Sequence, residues 1–157
     1  MGENAIVFVR DPARIDGRLF GKLSDIEDMR WYTFLREFGL DGYADDVSII
    51  DLSALDDLIV DIADDYKYEI DEMYYEERRP LRELHEKGFE GFMRLYKAIK
   101  LRETLEEADA IVVREYALAE ETGRDLEEDL KKKGYVPFYE VEEKIREALN
   151  NIPAEAA

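Results

Sequence analysis

Leu55, Leu58, Ile59, Ile62, Tyr66, Ile70, Met73 and Tyr74 recur at intervals of three, four and seven residues, the apolar stripe of a long amphipathic helix. The residues between them are almost wholly anionic. From Asp41 to Glu77 the chain places fourteen carboxylates in 37 residues against one base, Lys67. Like charges four residues apart destabilise an isolated helix by a few tenths of a kcal/mol per pair, so this helix must be held by its buried face. The chain must therefore supply a core for the stripe and leave the other face in water.

The acidity is local. Of a net charge of −18, the Asp41–Glu77 segment carries −13, while the first 40 residues carry −1 and the last 80 carry −4. Adaptation to heat or salt would favour mixed ion pairs, which the flanking regions have and this segment lacks. At a rise of about 1.5 Å per residue, the 22 residues from Asp56 to Glu77 span roughly 33 Å. Their ten carboxylates then fall about 3.3 Å apart, close to the phosphate spacing of about 3.4 Å along one strand of duplex DNA. The candidate partner-binding face is Asp57, Asp61, Asp64, Asp65, Asp71 and Glu72. A solvated charged face would show the same pattern.

With 157 residues and 46% hydrophobic content, the chain can bury one moderate core or two small ones. The absence of cysteine removes disulfides and thiolate zinc sites and fits a reducing, cytoplasmic location. Ala5–Val9 is too short for a signal peptide or membrane span, so a soluble protein is expected. A pI near 4.4 opposes direct binding to nucleic acid or anionic membranes and favours basic protein surfaces.

Ala5–Val9 reads as a strand, Arg18–Leu23 as its returning partner and Val47–Leu52 as a third strand. Between them Ser24 and Glu27 fit a capping box for a helix ending at Gly39. Ser53 is the expected cap of the acidic helix, with Arg78 and Arg79 at its far end. Pro80 opens a further helix in which Leu81, Leu84 and His85 are apolar-facing candidates, and Gly88 and Gly91 loosen the chain before a stripe from Phe89 to Ile99. Thr104 and Glu107 suggest a new helix running through Ile111–Val113 to Gly123. Leu126 and Leu130 belong to a short helix stopped at Gly134, and Pro137 opens a last helix holding Phe138, Val141, Ile145 and Leu149. The expected fold is α+β: a small N-terminal antiparallel sheet with one helix, followed by a mostly helical body. A division into residues 1–53 and 54–157 rests only on the change of periodicity, and a single domain is the alternative.

Catalytic signatures are missing. A Ser-His-Asp arrangement would need His85, the sole histidine, with Ser24, Ser48 or Ser53, and none of these serines lies in a Gly-x-Ser-x-Gly turn. His85 is read instead as a partly buried helix residue. Arg82 stands where a di-metal bundle would need glutamate three residues before His85, and no EF-hand loop begins within Asp41–Asp65. Gly88–Gly91 lacks phosphate-loop spacing, and Lys131–Lys133 has the sufficient role of closing a helix. Paired carboxylates leave a hydrolase as a third possibility. No catalytic, metal or cofactor site is expected.

Arg14–Leu23, Ala119–Gly123 and Val136–Leu149, taken with the acidic centre, give the chain a layout that resembles the ArdA antirestriction proteins of plasmids, transposons and phages. These pieces cover about a third of the chain. The resemblance implies an elongated, dimeric, non-enzymatic protein whose carboxylates imitate the phosphates of bent duplex DNA in the cleft of type I restriction–modification enzymes. Two departures stand out. That family spreads acidity along its length, and where it has tryptophan after the second glycine this chain has Leu23. A related phage inhibitor of another nuclease, including an anti-CRISPR directed at a CRISPR effector, is therefore the open alternative for the target. The alternative from a different class is an acidic scaffold or interaction module that binds a basic protein unrelated to DNA.

Overall fold

The computed structural model describes residues 3–119 and 123–151. Strand β1 (Ala5–Val9) does not return on Arg18–Leu23; it pairs antiparallel with β3 (Ala110–Arg114), from Ala5 opposite Arg114 to Val9 opposite Ala110. The short strands β2 (Ile49–Ile50) and β4 (Val136–Pro137) complete an antiparallel sheet in the order β2-β3-β1-β4. The fold is α+β, a small sheet within a mostly helical chain. Two strands come from each side of residue 53, so residues 1–53 do not close a sheet alone.

Alternation along β1 and β3 sends side chains to two different helical layers. Ala5, Val7, Val9, Ala110 and Val112 join the main core, while Phe8, Ile111 and Val113 face a second cluster with Leu130. The main core is covered by α1 (Gly17–Glu27), α2 (Trp31–Glu37), α3 (Leu52–Asp71), α4 (Leu81–Ala108) and α7 (Phe138–Asn150). The second cluster is covered by α5 (Glu115–Ala119) and α6 (Gly123–Lys132), through Leu118, Leu126 and Leu130. A strand buried on both faces reads as a continuous apolar run, which is why Ile111–Val113 resembled part of a helix. Residues 120–122, within the Ala119–Gly123 segment of the resemblance, lie outside the described residues.

Local chemistry explains the other differences from expectation. Asp16 caps α1, its carboxylate accepting from Leu19 N at 2.8 Å, and Leu19, Leu23 and Ile26 give that segment a buried helical face. Ser24 lies inside α1, so it starts no helix. Asp51, not Ser53, caps α3, with its carboxylate 2.8 Å from Ala54 N. Thr104 lies within α4, where its hydroxyl donates to the Lys100 carbonyl at 3.1 Å. α4 ends only at Asp109, whose φ of 51° is left-handed. Arg10 holds the Asp109 carboxylate at 2.7 Å, and the bond draws its carboxyl below the usual range.

Gly88 and Gly91 do not interrupt α4. Gly91 is buried where α4 crosses α3, and a Cβ there would stand 2.7 Å from the Tyr66 ring. Glycine is required by this approach of two helices, which seats the acidic helix on the body of the protein.

Candidate partner-binding surface

Helix α3 buries Leu55, Leu58, Ile62 and Tyr66 along one side. Because these residues fix its rotation, the outward side is set by sequence spacing. Asp57, Asp61, Asp64, Asp65 and Asp71 are all exposed on α3, and Glu72 is exposed in the π-helical turn Glu72–Glu76 that follows. At 100° per residue they occupy roughly one third of the helix circumference, away from the core.

The ion pairs of α3 lie elsewhere. Arg102 of α4 pairs with Asp56 at 2.6 Å, and Lys87 with Glu69 at 3.4 Å. Among the described residues, none of the six outward carboxylates has a cation within 4.0 Å. Basic residues of α4 thus neutralise the flanks of the acidic helix and leave its outer face charged. Like charges four residues apart, such as Asp57 with Asp61 and Asp61 with Asp65, cost the helix repulsion.

The surface is wider than the sequence indicated. Asp41, Asp45 and Asp46 are exposed in the loop after α2, and the charge of Asp46 acts on Tyr43 together with those of Asp61 and Asp65. Tyr43, between them, has its hydroxyl pKa raised by burial, then by the charges of Asp65, Asp61 and Asp46. Arg94 fastens this loop to α4 by donating to the Gly39 carbonyl at 2.8 Å, and its guanidinium lies 5.7 Å from the Tyr66 ring. The sequence signal was present in the acidic run from Asp41; its folding back beside α3 was not.

Exposed tyrosines accompany the carboxylates. Tyr68 lies on the outer side of α3, and Tyr74 packs edge-on against Tyr75 at 4.8 Å between ring centres. Tyr74 was expected in the buried stripe. It is exposed in the π turn, at the edge of the stripe and beyond the last buried residue of α3, Tyr66. Arg79 then pairs with Glu77 at 2.9 Å and Glu83 at 3.2 Å across the turn into α4.

The chemistry available here is electrostatic. An open cleft of about 540 Å³ between the end of α3 and the start of α4 is lined by Glu69, Glu72, Glu77, Glu83, Glu86 and Glu90 with Arg79 and Lys87. Among the described residues, no group of three or more His, Asp or Glu side chains is arranged to hold a metal ion. His85 and Leu81 are exposed on α4, not turned inward. Among the described residues no helix is long and apolar enough to cross a membrane. No family model, curated protein or solved structure matches the chain.

Proposed function

We propose that this protein is a non-catalytic DNA mimic that occupies the basic DNA-binding cleft of a defence enzyme, either a type I restriction–modification enzyme or another nuclease such as a CRISPR effector. The observation that carries the reading is the row of six exposed carboxylates, five on α3 and Glu72 just beyond it, which have no ion pairs among the described residues, beside neighbours whose charges are paired. A fold stabilised by this helix would do better with bases among those acids, so their segregation favours a partner that supplies the cations. Asp46, whose charge acts on Tyr43 together with those of Asp61 and Asp65, widens the anionic surface beyond the helix. Tyr68 and Tyr75 add apolar contact area of a kind enriched at protein interfaces. The proposed place of action is the cytoplasm, where such enzymes meet DNA.

Immobilised protein should capture a basic DNA-binding enzyme from a host extract, and duplex DNA should release it. Capture of a basic protein that binds DNA and this chain simultaneously would instead establish the scaffold alternative. Steep weakening with salt is expected in the first case, because exposed charges are screened beyond about 8 Å at physiological ionic strength.

A further inference from the structure

Helix α4 carries a second surface that the acidic face does not explain. Phe89, Phe92, Tyr96 and Ile99 follow one another at three, four and three residues and are all exposed. This is the spacing of a coiled-coil seam. It lies on a different side of α4 from Gly91, Ala98, Leu101 and Leu105, which are buried. Phe89, Phe92 and Tyr96 are 66%, 60% and 48% exposed. At about 200 Å² per aromatic side chain they leave roughly 350 Å² in water. With Ile99 the apolar strip supplies about half of the roughly 800 Å² per partner of a specific interface, and the flanking polar side chains add to it. In a chain of net charge −18, α4 is also neutral, with six bases and six acids.

We infer that α4 pairs with α4 of a second copy of this chain, antiparallel, about a two-fold axis near Arg94. The charges along the helix select this occupant and direction. In the antiparallel register Phe92 packs on the second copy's Tyr96, and Phe89 on its Ile99. The next layer sets His85 against Glu103, and at the flank Glu86 meets Lys100 while Met93 meets its own counterpart. All four of these polar residues are exposed; Glu86 and Lys100 have only neighbours on their own helix at 3.9 and 3.3 Å, which leaves them free to exchange partners. A parallel pair would set Glu103 against Glu103 and leave Glu86 without a base. The face is thus self-complementary in one direction, as an isologous interface requires. None of the segments that carry the antirestriction resemblance contributes to it, and it stands whether or not the acidic face imitates DNA.

Sedimentation equilibrium of the whole chain at micromolar concentration should give twice 18.4 kDa. Combining Phe92→Glu with Tyr96→Glu should give a monomer with an unchanged circular dichroism spectrum, since both side chains are exposed. Glu86→Lys should weaken the dimer, and Glu86→Lys with Lys100→Glu should restore it. Because the chain has no cysteine, Met93→Cys should cross-link to itself on oxidation while Glu103→Cys should not. A monomeric wild type, a double charge exchange that fails to restore the dimer, or equal cross-linking at both positions would overturn the proposal.

Discussion

The seat of the acidic helix can be tested with two alanines placed three residues apart. Gly88 and Gly91 share α4, so changing either to alanine brings the same gain in helix propensity, about 1 kcal/mol. Their surroundings differ. A Cβ at position 88 would meet only Ile70 Cδ1 at 3.9 Å, an ordinary contact, whereas at position 91 it would lie 2.7, 2.9 and 3.1 Å from three atoms of Tyr66. Overpacking of this kind costs about 1–3 kcal/mol, because Tyr66 is buried and two of those atoms belong to its rigid ring. Gly88→Ala should therefore stabilise the protein by roughly 0.5–1 kcal/mol. Gly91→Ala should fall below Gly88→Ala by about 1–3 kcal/mol. Urea unfolding followed by circular dichroism measures both, and the comparison cancels the propensity gain. Equal stabilisation by the two alanines would show that α3 and α4 do not approach as closely as described, and would refute this account of how α3 is held.

Glu27 accepts from Val7 N at 2.8 Å, and burial pushes its carboxyl from the ordinary 4.5 up to about 7. The folded state then binds a proton that the unfolded state has lost, so stability is fullest below about 4.5 and declines as pH rises through 7. Glu27→Gln keeps an acceptor for Val7 N and should flatten that decline, with a gain at pH 8 of up to about 3 kcal/mol at roughly 1.4 kcal/mol per pKa unit; denaturant midpoints across pH 4.5–8 check it. Asp51→Ala removes the cap of α3 and should cost about 1 kcal/mol, read as a lower urea midpoint, while Ser53→Ala should be nearly neutral.

The parts of the fold that could be read from sequence are those whose signal is local. The buried face of α3 followed from Leu55, Leu58, Ile62 and Tyr66, and the outward position of the six carboxylates followed from it. Gly39 and Gly134, at φ of 74° and 91°, mark the chain stops expected of them. α7 holds Phe138 and Ile145 inward at helical spacing. Longer-range effects were hidden. β3 has no period because both its faces are covered, and its partner β1 lies about a hundred residues away. Arg18–Leu23, which reads as a strand, lies in a helix that Asp16 caps and the core stabilises. Tyr74, at the edge of the stripe, lies past the last buried residue of α3 and is exposed. Tyr43 and Asp46 came beside Asp61 and Asp65 only through tertiary folding.

The central claim, that the outer carboxylates of α3 stand in for phosphates, is tested most directly by displacement of duplex DNA from the enzyme captured by the wild-type protein. A labelled duplex bound to that enzyme is titrated with wild type and with the combined Asp57→Asn, Asp61→Asn, Asp64→Asn, Asp65→Asn, Asp71→Asn and Glu72→Gln variant. These changes remove charge at nearly constant shape from exposed positions without ion pairs, so the variant should fold with equal or slightly greater stability. The wild type should displace the duplex at low salt, and the variant should require concentrations higher by orders of magnitude, since the attraction is spread over many charges. A folded variant that displaces DNA as effectively as wild type would contradict the claim.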